Sequence, residues 1–237
     1  MAEKMFLHEP TFEGNEWRYL RECLDSGWVS SAGPFVERFE KVIGEYTGAK
    51  HAVACVSGSA ALQVALQVGG VKPGEEVIVP TLTFISPVNA IFHNGAIPVF
   101  MDVDHFLNLD VNKVEEFLDL HAELRDEGCW NKITGRRITA VMPVHVLGNA
   151  ADLEALVDVA QRYQLIVVED AAEGLGTRYR HGSLTNKHVG TVGNLGCLSF
   201  NGNKIITTGG GGMILTDQKD LADRCRYLIT QAKDDPV

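Results

Sequence analysis

The chain has 237 residues, 45% hydrophobic and 22% charged, a composition that fits one layered globular unit and excludes disordered and fibrous classes. Its 31 acidic residues against 21 basic ones give a net charge of -10, which argues against a nonspecific binder of nucleic acid. The five scattered cysteines contain no C-x-x-C pair, and no apolar run approaches signal-peptide or membrane-spanning length, so the expectation is a reduced, cytoplasmic protein with no metal site and no membrane partner.

In chain order, short apolar runs predict strands over residues 51–56, 76–80, 97–101, 138–142, 165–169, 196–200 and 212–216. Amphipathic stretches between them predict helices, among them 60–68, 111–121 and 152–163. The alternation specifies an α/β sheet layered by helices, in which ligands sit beyond the carboxyl ends of the strands. Residues 121–137, with Gly128, Gly135 and several charges, read as a polar surface excursion. The terminal K-D-D-P-V reads as a polar stop at a domain edge.

Three post-strand segments carry candidate chemistry. In V-S-G-S-A-A-L, Val56 to Leu62, two serines and Gly58 open a helix; the free amides of its first turn form an anion site in outline, and a plain Ser N-cap is the alternative. The run L-I-V-V-E-D-A-A-E, Leu165 to Glu173, ends a strand with two carboxylates. Asp170 there either holds a protonated pyridine nitrogen or caps the next helix. In C-L-S-F-N-G-N-K-I-I-T-T-G-G-G-G, Lys204 sits between close-packing glycines and apolar Ile205 and Ile206, surroundings that favour a nucleophilic amine.

These blocks, together with G-W-V-S-S-A-G-P-F-V-E-R-F-E at Gly27 to Glu40, P-T-L-T-F at Pro80 to Phe84, G-A-I-P-V-F-M-D-V-D at Gly95 to Asp104 and H-V-L-G-N at His145 to Asn149, run in an order that resembles the DegT/DnrJ/EryC1/StrS sugar aminotransferases within the fold-type I pyridoxal-phosphate enzymes. The resemblance implies the large domain of that fold over residues 1–237: a mixed, mostly parallel seven-stranded sheet with helices on both faces, residues 1–40 lining the substrate side, and the family's small C-terminal domain missing. It implies pyridoxal 5'-phosphate as cofactor, with Lys204 as the Schiff-base lysine and Asp170 on the ring nitrogen. Gly58, Ser59 and Ser199 would bind the phosphate and Phe84 would stack on the ring. Glu173 would lie near the ring hydroxyl, where many members carry Gln or His, while Trp28, Ser30 and His145 would face the sugar.

The function so implied is transfer of an amino group, from glutamate, to a nucleotide-linked 4-keto-6-deoxy sugar in surface-polysaccharide precursor biosynthesis. Around Lys204, and in Q-A-K-D-D-P, the wording is most similar to members acting on UDP-linked 4-keto-6-deoxy-N-acetylhexosamines of legionaminic-acid or bacillosamine type. A homodimer with a shared active site is part of the same implication. For 237 residues alone, weak cofactor binding and poor turnover are expected. The alternative from another class is a noncatalytic cofactor-binding or regulatory module, or an inactive fragment, and the Lys204 and Asp170 pair disfavours it.

Overall fold

A computed structural model describes residues 9–31 and 33–233. Seven strands form the continuous path of the sheet, in the order β1-β9-β8-β7-β6-β2-β3: β1 His51–Cys55, β2 Glu76–Pro80, β3 Ile97–Met101, β6 Arg137–Val141, β7 Ile166–Asp170, β8 Leu195–Ser199 and β9 Gly212–Thr216. Four neighbouring pairs are parallel, while β9 runs antiparallel to both β1 and β8. Reversing twice leaves β1 parallel to β8. Six of the seven strands therefore point the same way, and their carboxyl ends share one edge of the sheet.

Strand alternation splits the core in two. Val53, Val77, Val79, Met142, Val168, Cys197 and Ile214 project to one face. They pack there with α3 Gly58–Val68, α4 Ile85–His93 and α7 Lys219–Ile229. Their strand neighbours Ile78, Val141, Val167, Leu198, Met213 and Leu215 project to the other. That face is covered by α2 Pro34–Thr47, α5 Val111–His121 and α6 Leu153–Arg162. A strand buried on both faces must be apolar at consecutive positions, which is why these segments read as continuous apolar runs. Helix α1, Glu16–Ser26, has no buried residue.

Residues 121–137 depart from the sequence reading. They form a hairpin, β4 Ala122–Arg125 and β5 Gly128–Asn131, whose second strand pairs with β6 and brings the sheet to nine strands. The hairpin is held by Cys129, fully buried in the second core, and by the Asn131 amide, which donates to the buried Glu76 carboxylate at 2.8 Å. Four-residue strands with charged tips lack a period of their own; tertiary pairing makes them strands.

Candidate active site

The shared carboxyl edge opens into a cavity of about 700 Å³. Its wall takes residues from the turns after β1, β2, β6, β7 and β8, among them Gly58, Ser59, Phe84, His145, Asp170, Glu173, Ser199 and Lys204. Strand β9 begins at this edge, since Gly212 is the register partner of both Cys55 and Ser199. The segment 200–211 that carries Lys204 is thereby returned to the same mouth.

The start of α3 lies in the cavity wall. Ser57 caps the helix, its hydroxyl accepting from the Ala60 amide at 3.1 Å, and its carbonyl accepts from the Ala61 amide at 3.0 Å. Gly58 and Ser59 are the first two helical residues, whose N–H groups have no carbonyl one turn back to bond. The capping reading is realised by Ser57, and the first-turn amides of Gly58 and Ser59 are not used by that cap. The Ser59 and Ser86 hydroxyls lie 2.8 Å apart beside these amides.

Close approach here depends on glycine. A Cβ on Gly58 would meet the Ser199 Cβ at 2.8 Å, and one on Gly212 would meet the Ser57 carbonyl oxygen at 2.3 Å. Gly58→Ala is expected to push α3 away from β8, costing about 1 to 3 kcal/mol in urea unfolding and weakening phosphate binding measured by calorimetry.

Asp170 closes β7 and is buried. Its Oδ1 accepts from the Ala172 amide at 3.0 Å, while its backbone is tied to Pro143 and His145. Burial pushes its carboxyl up, against the pull of the Ala172 amide, His145 and Lys204. Lys204 lines the same cavity with its side chain 15% exposed, and its Nζ lies 3.1 Å from Glu173 Oε1. Glu173 Oε2 accepts from the Leu147 amide at 3.0 Å. Phe84, at the N-cap of α4, is 74% exposed at the rim.

The sugar-side expectations fare differently. His145 touches the cavity, yet it is 1% exposed and both ring nitrogens are committed: Nδ1 accepts from the Ala151 amide at 3.0 Å and Nε2 faces Glu169 Oε2 at 2.9 Å. Both ring nitrogens are thus engaged within the wall, so the ring is held by the framework while it touches the cavity. Trp28 and Ser30 are exposed and do not line the cavity, and Trp28 lies against Gly33.

Glu169, assigned no role from the sequence, anchors this wall. Beside His145, its carboxylate accepts from the amides of Gly190, Val192 and Gly193 at 2.6 to 2.7 Å. Burial opposes its ionisation, but His145 and these amides outweigh it and hold the carboxyl below its usual range. A depressed folded value means that the stabilisation is present above the unfolded value, about 4.3, and is lost as pH falls through the folded one. Glu169→Ala strands buried donors and is expected to cost about 3 to 5 kcal/mol in urea unfolding at pH 7.

Sequence reasoning also passed over Thr83, whose Oγ1 is buried without a hydrogen-bond partner in the cavity wall, and Leu147, which lines the mouth. Thr83 stands beside Phe84 in P-T-L-T-F, a signal available in the sequence; the Leu147 contact depends on a turn that no local pattern specifies.

The architecture is that of a mostly parallel α/β domain with a lysine, a buried aspartate and a free helix start around one cleft. The chain belongs to the DegT/DnrJ/EryC1/StrS aminotransferase family, whose model matches residues 10–235. It is 43% identical over 226 residues to GDP-perosamine synthase of Caulobacter vibrioides, covering 95% of this chain and 55% of that one. Among solved structures, it is similar to a DegT DnrJ EryC1 StrS aminotransferase from Brucella abortus, with TM-score 0.81, 31% identity, and 93% of this chain and 57% of that one covered. It is also similar to NtdA from Bacillus subtilis, described as holding bound cofactor PMP, with TM-score 0.75, 28% identity, and 93% and 46% covered. The chain thus spans little more than half the length of the curated relative it matches.

Proposed function

We propose that this chain is the cofactor-binding part of a cytoplasmic, homodimeric pyridoxal-phosphate-dependent aminotransferase that converts a nucleotide-linked 4-keto-6-deoxy sugar to its amino sugar, with glutamate as donor. The observation that carries the reading is the convergence of Lys204, Asp170 and the α3 amides on one cavity. These residues fit the cofactor's chemistry: an amine for an aldehyde, a carboxylate for a pyridinium and an unfilled helix start for a phosphate. The wall also offers the unpartnered Thr83 hydroxyl as a polar contact.

When bound, pyridoxal phosphate supplies an electron-withdrawing ring that stabilises a carbanion at the carbon bearing nitrogen. Gly58 and Ser59 would donate backbone N–H groups to its phosphate, with the Ser199 hydroxyl beside them. Asp170 would hold the ring-nitrogen proton, and Phe84 would shield a ring face from water. Lys204 would hold the cofactor at rest, and its Nζ, once released, would be the group placed to accept and return a proton in the cleft.

The sugar's nucleotide is drawn two ways. Similarity around Lys204 favours UDP, and the name of the Caulobacter relative favours GDP. Incubating the whole protein with glutamate, pyridoxal phosphate and either GDP- or UDP-linked 4-keto-6-deoxy sugar should yield an amino sugar detectable by mass spectrometry. Amination of one series over the other assigns the nucleotide, while amination of neither rejects the reading.

A further inference from the structure

The turn after β6 contains a conformation that its sequence does not favour. Leu147 has φ +52 and ψ +26, the left-handed region that disfavours a branched-chain residue, and Gly148 follows at φ +79. Three contacts hold the turn: the Gly148 amide donates to His145, the Asn149 amide to Val146, and the Thr177 hydroxyl to the Gly148 carbonyl at 2.8 Å. Gly148 also lies so close to the next turn that a Cβ there would meet the Glu173 carbonyl oxygen at 2.7 Å. The unfavourable backbone has one visible product, which is to aim the Leu147 amide at Glu173 Oε2. The other oxygen of that carboxylate is the one facing Lys204 Nζ.

We infer that the 146–148 turn is a positioning device for Lys204, acting through Glu173. The Leu147 amide fixes one carboxylate oxygen, and the remaining oxygen then holds the amine over the cavity. Glu173 can serve both donors because an ionised carboxylate only accepts; a Gln there accepts through one oxygen and turns an N–H group toward the other partner. Leu147 is itself 82% exposed at the cavity mouth, so a molecule entering the cleft meets the turn that sets the amine. The meaning of this arrangement for catalysis rests on the function proposed above, but the positioning itself is a property of the cofactor-free chain.

The test is the rate at which a water-soluble N-hydroxysuccinimide ester acetylates Lys204 in cofactor-free whole protein, read by mass spectrometry and normalised to exposed Lys50. Holding the amine against a partly exposed carboxylate should slow labelling about two- to fivefold, so Glu173→Gln is expected to speed it by that factor. Gly148→Ala, which displaces the turn without touching the amine, should speed it comparably. Leu147→Gly keeps the amide and suits the left-handed backbone, and should label like the parent. Equal labelling of Glu173→Gln and parent overturns the inference; so does Gly148→Ala behaving as the parent while folded by circular dichroism. If Gly148→Ala does not fold, Glu173→Gln decides alone. Since no cofactor is present, loss of this effect is distinguishable from failure of Lys204 to bind pyridoxal phosphate.

Discussion

On the proposed function, Lys204→Ala is expected to lower amino transfer by the whole protein at least about a thousandfold, because one side chain would both attach the cofactor and move the proton in each half-reaction. The structure makes the loss hard to compensate. Lys204 stands on the turn following Asn201, its backbone amide donating to the Asn201 carbonyl at 3.0 Å, and this segment is returned to the cavity by the antiparallel entry of β9. Among the described cavity-lining residues, Lys204 is the sole lysine or arginine. Steady-state rates with the amino donor and keto sugar check this, and a variant retaining a tenth of parental turnover would contradict the assigned role.

Asp170→Asn is expected to separate activity from stability. A neutral amide no longer holds a proton on the ring nitrogen, so turnover should fall on the order of a hundredfold or more. Stability of the cofactor-free protein should move the other way. Burial raises the Asp170 carboxyl, and a raised folded value favours folding below the unfolded value, near 3.9, with the contribution lost as pH rises through the folded one. At pH 7, well above the unfolded value, the burial of this ionisable carboxyl therefore opposes folding. Asn keeps an oxygen for the Ala172 amide and has no proton to lose. Melting of the cofactor-free variant should rise, by about 2 to 4 °C for each kcal/mol recovered. A variant that melts lower than the parent would show that the carboxylate is part of the framework instead of a charge held for a ligand.

The same asymmetry distinguishes the two adjacent acids. Glu169 and Asp170 end one strand and point to opposite faces, as strand alternation requires. Glu169 meets three backbone amides and His145 and is held ionised, whereas Asp170 receives the single Ala172 amide and is left for something in the cavity. One residue builds the wall; its neighbour lines the cavity.

The strands of the main sheet path were legible because each is a short apolar run bounded by turn residues; E-V-I-V-P of β2 is buried at every position, while β1 and the edge strand β3 are half-buried yet keep the same run. The β4–β5 hairpin was not, since A-E-L-R carries its information in pairing with distant β6 through β5. At the site, the strand-end rule places Gly58, Asp170 and Ser199 in the cavity because it follows from sheet geometry. His145 shows where the rule stops: following a strand puts a side chain near the cleft, but the partners of its ring nitrogens, Glu169 and Ala151, decide whether it is free to bind. Nothing in the local sequence H-V-L-G-N specifies that Leu147 will turn left-handed and offer its amide to Glu173.

On the proposed function, Lys204 is the residue that captures the cofactor's aldehyde. Pyridoxal phosphate added to the whole protein, followed by borohydride reduction, proteolysis and peptide mass spectrometry, tests this directly. The predicted result is a phosphopyridoxyl group on the peptide containing Lys204, at near-stoichiometric yield and removed by Lys204→Ala. Modification confined to other lysines, with Lys204 unmodified, would contradict it.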